Sequence, residues 1–295
     1  KGTSVAVKRF YVTPTNEHAM EQWMQELAVH KSLHHPNIVQ LLGVCVDPLC
    51  IVLEFMQRGS LFSCLQEKDM SWLMRLQCAL DTARAMAFLH AADLLHRDLK
   101  SLNVLVDDGW RCKLADFDQS RGDGNTLTAT VGTVLWSAPE VLAGKGEYGK
   151  PADVYSFGVV MFECWAREPP FQGPAAPGRT EVLEHIKQGG RPVLRECHGE
   201  PPDKYADLMQ QCWNQNPIIR PTFGEVLAIL EPLAQGEASS AAPSEGESRL
   251  ATETRNTQIS SWTRFFSTGH RRFVTKDSEG SVPLLPVSRR AVVSS

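Results

Sequence analysis

Apolar positions along the chain change period repeatedly, and each change marks a different kind of element. The stretch Ser4-Val5-Ala6-Val7-Lys8-Arg9-Phe10 is β-branched and apolar, which predicts a strand. Beyond Pro14, Met20, Trp23, Met24, Leu27 and Val29 recur near the helical period. That helix is expected to stop before His35-Pro36-Asn37, where proline blocks continuation. Residues 38–46 and 50–55 read as two strands joined by an Asp47-Pro48 turn. From Ser60 onward the period becomes helical. Trp72, Arg75, Leu76, Ala79, Leu80, Ala83, Met86 and Ala87 lie on one face of a long helix ending near Ala91. Strands with a single helix therefore precede a mostly helical remainder. The pattern predicts an α+β chain of two unequal lobes, a small sheet lobe over residues 1–55 and a larger helical lobe over 56–234.

Residues 235–295 break the pattern. They begin Ala/Ser/Glu/Gly/Pro-rich and continue rich in Ser, Thr and Arg with little periodicity, which predicts a disordered tail. Trp262, Phe265 and Phe266 with Arg264, Arg271 and Arg272 form either a basic, aromatic docking segment or part of an unstructured extension.

Composition narrows the function classes. Over 295 residues, 42% hydrophobic and 22% charged, the chain can bury a sizeable core. A formal net charge of −4 argues against nucleic acid or an anionic membrane as the main partner. Its eight cysteines show neither C-x-x-C pairs nor zinc spacing, which fits a reducing cytosol. No apolar run is long enough to span a bilayer, and Val159-Val160-Met161-Phe162 is short and reads as a buried helix. A cytoplasmic location follows, either of this chain or of the cytoplasmic part of a longer one.

The chemistry concentrates in residues 96–103, His-Arg-Asp-Leu-Lys-Ser-Leu-Asn, and in Asp116-Phe117-Asp118 a hairpin's length later. One tight loop thus carries an acid, a cation and a metal-binding amide, and the next strand adds a carboxylate. Phosphoryl transfer needs that set around one cleft. With Val5-Ala6-Val7-Lys8 and Ala138-Pro139-Glu140 in order along the chain, residues 1–233 resemble the eukaryotic protein kinase family.

The resemblance implies a bilobal protein-kinase-like fold and ATP with Mg²⁺ as cofactors. It implies Lys8 as the phosphate-holding lysine and Glu26 as its partner, with Glu21 the alternative. Leu53 falls at the back of the nucleotide pocket, Glu54-Phe55-Met56 resembles the hinge, and Leu105 contributes to nucleotide binding. Asp98 takes the place of the base and Lys100 that of the phosphoryl counter-charge, while Asn103 and Asp116 hold the metal. Arg97 beside the base suggests control by an added phosphate, through an upstream kinase or autophosphorylation, with Thr126, Thr128 and Thr130 as candidate sites if they are more than solvated. Thr133 is expected near Asp98, Glu140 paired with Arg220, and Asp153 on the catalytic-loop backbone. Lysine two residues after the base, with Gly132-Thr133 and Trp136-x-Ala-Pro-Glu, is similar to the tyrosine-kinase-like serine/threonine group, so proteins bearing Ser/Thr are the expected substrates.

Three departures temper that expectation. The chain starts seven residues before Lys8, so the family's glycine-rich hairpin is absent, a fragment is expected and the first strand's outer edge should stand open. Asp118 replaces glycine beside Asp116, where a second carboxylate either repels phosphate or joins a metal shell. His30 stands one turn after Glu26, where the family prefers an aliphatic residue. A pseudokinase-like scaffold that docks partners on an idle site is the alternative function, and a small-molecule phosphotransferase is a third.

Overall fold

The small lobe is an antiparallel sheet with one helix against it. The structure, a computed structural model, describes residues 4–10, 18–67, 70–117, 134–144, 148–172, 178, 181–195, 199–240 and 274–276. Strand β1 (Val5–Arg9) pairs antiparallel with β3 (Leu49–Glu54), which pairs in turn with β2 (Leu41–Val46) across the Asp47-Pro48 turn. Helix α1 (His18–Ser32) packs Trp23 and Leu27 onto Leu49 and Ile51. Its indole N–H donates to the Cys50 carbonyl at 3.2 Å, which spares Trp23 the cost of burying an unpaired donor.

Asn37 and Ile38, after the proline that ends α1, anchor this lobe to the next. The Asn37 amide donates to the Cys112 carbonyl, and the backbone of 37–39 pairs with Leu114. A second antiparallel sheet follows, β4 (Gly59–Ser60), β5 (Val104–Val106) and β6 (Cys112–Leu114). Gly59 has φ +76°, a conformation that costs glycine little and lets the chain turn into the helical lobe.

That lobe is built on α2 (Leu61–Cys64), α3 (Trp72–Ala91), α4 (Pro139–Leu142), α5 (Lys150–Ala166), α6 (Val182–Lys187), α7 (Asp203–Cys212) and α8 (Phe223–Ser240). Ser60 and Ser71 cap α2 and α3 by accepting from Ser63 and Met74 backbone N–H groups. Helix α5 is buried along nearly its whole length, with Val154, Phe157, Val159, Val160 and Met161 at or near zero exposure. A helix apolar all round belongs in a core, and each such side chain contributes roughly 1.5–3 kcal/mol on burial.

Two observations bear on the expectations about the ends. Helix α8 runs six residues past 234 because Gln235, Glu237 and Ala238 are good helix formers that tolerate Gly236. The outer edge of β1 does not stand open. Strand β7 (Val274–Lys276), from the segment expected to be disordered, pairs parallel with it, Ala6 opposite Val274 and Lys8 opposite Lys276. A sheet edge is a template for any strand that can reach it. Trp262, Phe265, Phe266, Arg264, Arg271 and Arg272 lie outside the described residues.

Candidate functional site

Lys8 emerges from β1 with its ammonium between two carboxylates. Nζ lies 3.1 and 3.0 Å from the two Glu26 oxygens and 3.3 Å from Asp116 Oδ1. Glu26 rather than Glu21 makes this contact, because α1 turns it inward, where it is 1% exposed. One turn on, His30 Nε2 sits 3.8 Å from Glu26 and the imidazole meets Phe117 edge-to-face at 5.0 Å.

A small apolar cluster lies at the residue preceding Asp116. Val39, Met56 and Ala115 are buried together, with Leu53 and Leu105 packed against them. Leu105, distant in the chain, therefore converges with Leu53 and Met56. Glu54 behaves differently. Its carboxylate holds Lys113 of β6 at 2.7 and 2.8 Å and accepts from the Gln40 N–H, so this side chain ties the two sheets together.

The loop after α3 presents the second half of the site. Lys100 Nζ donates to Asp98 Oδ2 at 2.6 Å, and the Asn103 amide donates to the same oxygen at 2.9 Å and to the Asp98 carbonyl at 2.8 Å. Asp98 Oδ1 is buried with no hydrogen-bond partner among the described residues. The Asn103 carbonyl accepts from Ala115 N–H at 2.9 Å, which sets Asn103 beside the residue preceding Asp116. Arg97 and Asp116 both have positive φ, +66° and +67°, an uncommon conformation for non-glycine residues that the surroundings must hold.

Asp153 does much of that holding at Arg97. Wholly buried, it accepts from His96 and Arg97 backbone N–H at 3.0 Å each, from His90 Nε2 at 2.8 Å and from Tyr148 Oη at 2.7 Å. Burial alone would raise its pKa, but these bonds outweigh burial and hold it below the ordinary carboxylate value. His96 also bonds the Ala115 carbonyl through Nε2 and stacks edgewise on Phe117, so both are packing residues. Glu140 and Arg220 form a bidentate pair at 2.7 and 2.8 Å.

His90, Tyr148, Lys113 and Glu163 escape a reading of the motifs. Their signal in the sequence is weak, except for Glu163, a lone carboxylate inside the apolar run from Val159 to Trp165. Asp118, Thr126, Thr128, Thr130, Gly132 and Thr133 lie outside the described residues.

Contacts therefore run from Lys8 to Asp116, from Ala115 to Asn103 and from Asn103 to Asp98, with the apolar cluster joined to them at Ala115. Residues 1–230 match the model of the protein tyrosine and serine/threonine kinase family. A probable serine/threonine-protein kinase of Dictyostelium discoideum, drkA, is 38% identical over 247 residues, covering 79% of this chain and 36% of its own length. A second from that organism, drkD, is 41% identical over 239 residues, 78% of this chain and 18% of its own. A putative serine/threonine-protein kinase/receptor of Acanthamoeba polyphaga mimivirus is 34% identical over 296 residues, 95% of this chain and 18% of its own. The chain thus spans about a third or less of the length of these relatives.

Proposed function

The chain belongs to the family of protein tyrosine and serine/threonine kinases, and from that premise we propose that it phosphorylates serine and threonine hydroxyls of proteins with ATP. The observation that carries the reading is Asp98 Oδ1, a buried carboxylate oxygen with no partner among the described residues, while Oδ2 is held by Lys100 and Asn103. A free acceptor at a fixed position is what a substrate hydroxyl needs to surrender its proton. Asp98 takes that proton as the hydroxyl oxygen bonds the γ-phosphorus and the bond to the ADP oxygen breaks. Lys100, paired with Asp98 at 2.6 Å, is close enough to spread its charge over the moving phosphoryl group.

Lys8 binds the α- and β-phosphates, braced by Glu26 from the buried side. Leu53, Met56 and Leu105 line the adenine floor, and the backbone of residues 54–56 bonds its edge. The donor set fits Mg²⁺. Asn103 spends its N–H₂ on Asp98, which leaves its amide oxygen as donor, and Asp116 adds a carboxylate, both hard oxygens. When bound, the ion neutralises charge on the β- and γ-phosphates.

Protein substrates are favoured over small molecules by the platform at Ala138-Pro139-Glu140, held rigid through the Glu140–Arg220 pair. We place the chain in the tyrosine-kinase-like serine/threonine group, working in the cytoplasm, with activation by an upstream kinase or autophosphorylation answered by Arg97. A second reading, a scaffold with an idle site, draws on Asp118 in place of glycine.

Radiolabelled phosphate transfer from ATP to degenerate Ser, Thr and Tyr peptide pools separates the two. The expected outcome is label on Ser and Thr, and a fall of roughly 10²–10⁴-fold in Asp98→Asn. Equal rates for the two proteins would leave only the scaffold.

A further inference from the structure

Two cysteines stand opposite one another in the small lobe. Cys45 of β2 pairs with Cys50 of β3, one position in from the residues that flank the Asp47-Pro48 turn. Directly opposite residues of an antiparallel pair share a face, with Cα atoms about 4.5–5.5 Å apart, inside the roughly 4.4–6.8 Å that a disulfide spans. Trp23 and Leu27 of α1 pack on Leu49 and Ile51, so alternation turns Cys50 to the other face of β3, where Arg9 of β1 is its partner across the sheet.

Both thiols are free, and they act on one another. Burial raises the Cys50 pKa and the neighbouring Cys45 thiol raises it further, while the Cys45 N–H and Arg9 partly offset the rise. Cys45 Sγ donates to the Asp47 carbonyl at 3.2 Å. Among the described cysteines Cys45 alone is half-buried, and the others are buried. Cys64, Cys78, Cys112, Cys164 and Cys212 show no exposure at all. Burial pushes the thiols of Cys64, Cys112, Cys164 and Cys212 up, which keeps them protonated and inert. An oxidant therefore meets Cys45 first, and the thiol nearest to answer is Cys50.

We propose that Cys45 and Cys50 form a reversible disulfide across the β2–β3 turn on exposure to hydrogen peroxide, which makes this hairpin a redox modification site. The inference is independent of the kinase reading. The Cys45 thiolate attacks one peroxide oxygen, so that an S–O bond forms and the O–O bond breaks, and the hydroxide released takes up the Cys45 proton as water. The Cys50 thiolate then attacks the sulfenic sulfur; the S–S bond forms, the S–O bond breaks, and the second hydroxide leaves as water with the Cys50 proton. Two thiols are oxidised and one peroxide is reduced to two waters. Arg9 favours the thiolate that the second step needs. The bond to Asp47 is lost in the oxidised form, because a disulfide sulfur has no proton to donate. A thiol reductant reverses the change by exchange.

Tryptic mapping tests this on the whole chain. Trypsin cuts after Lys31 and Arg58, and residues 32–58 contain Cys45, Cys50 and no other cysteine. The reduced protein is treated with hydrogen peroxide in its folded state, alkylated with iodoacetamide in denaturant and digested. The peptide 32–58 should lose two hydrogens and carry no alkyl group, while the cysteines at zero exposure are alkylated in full. Dithiothreitol before alkylation should restore both alkyl groups. In Cys50→Ala the sulfenic acid has no thiol to resolve it, and dimedone should label Cys45; in Cys45→Ala, Cys50 should stay reduced and be alkylated. Two alkyl groups on the wild-type peptide after peroxide would overturn the proposal. So would a bridge from Cys45 or Cys50 to any other cysteine or to a second chain, or a Cys50→Ala protein that dimedone leaves unlabelled.

Discussion

Glu26 meets Lys8 at 3.0–3.1 Å with its carboxylate almost wholly removed from water, whereas the Lys8 side chain is 30% exposed. The cost of separating them therefore falls on the glutamate. Glu26→Gln keeps the shape and one acceptor but loses the charge opposite Lys8, which the proposed phosphate-binding role of that lysine requires, and His30 stays beside it at the same turn. KM for ATP should rise roughly tenfold, about 1.4 kcal/mol, with little change in melting temperature; an unchanged KM would show that Asp116 alone positions the ammonium. Asp153 is the reverse case. Asp153→Asn replaces one acceptor oxygen by a donor facing backbone N–H groups, so folding should lose about 2–4 kcal/mol, measurable by urea unfolding. Because its folded pKa lies below the ordinary value, Asp153 contributes stability above about pH 4 that is lost as pH falls through the folded value. The variant should lack that acid-side loss.

Elements with a strong local period could be read directly. Helix α3 begins at Trp72 and ends at Ala91, as its apolar face predicts, and the Asp47-Pro48 turn joins its two strands. The edge pairing of β1 with β7 could not, because three residues from a Ser/Thr/Arg-rich stretch carry no period of their own and pairing at that distance is set by topology. Helix α8 carries a legible start, Thr222-x-x-Glu225, where each residue's side chain bonds the other's backbone N–H. Gly158 shows what local propensity leaves out. It lies mid-helix in α5, and a Cβ there would come within 3.0 Å of Cys212 Cβ, 3.1 Å of Trp213 N and 3.2 Å of Trp213 Cβ. Alanine would gain about 1 kcal/mol in helix propensity, against 1–3 kcal/mol for overpacking two helices whose backbones are already close. Gly158→Ala should therefore lower the melting temperature by a few degrees, about 2–4 °C per kcal/mol. A rise would mean that α7 can move aside.

Across the whole molecule, legibility follows distance along the chain. Asp98, Lys100 and Asn103 share one loop, so their motif could be recognised before they were seen to touch. His90, Tyr148 and Glu163 act through the burial of α5, which no local window contains, and Asp153, on the same helix, is legible only through the family resemblance. Glu163 also gives the fold a measurable pH dependence. Its carboxyl has an ordinary value of 4.5 and is raised by burial to about 8 in the folded chain. Between those values the unfolded chain has released this proton and the folded chain has kept it, so the folded state binds more protons. Stability from this group is full below about pH 4.5, declines as pH rises, and levels once the folded group has ionised. Glu163→Gln cannot titrate and lacks this decline. The difference in unfolding free energy, wild type minus variant, should therefore fall between about pH 5 and pH 8 by up to ~1.4 kcal/mol per pH unit. Urea unfolding of both proteins at about pH 5, 6, 7 and 8 reads the slope. A difference that stays constant would mean that the carboxyl ionises in the core as readily as in the unfolded chain, which only an entry of water beside its hydrogen-bond partners, the Ser101 hydroxyl and the Trp136 indole, would allow.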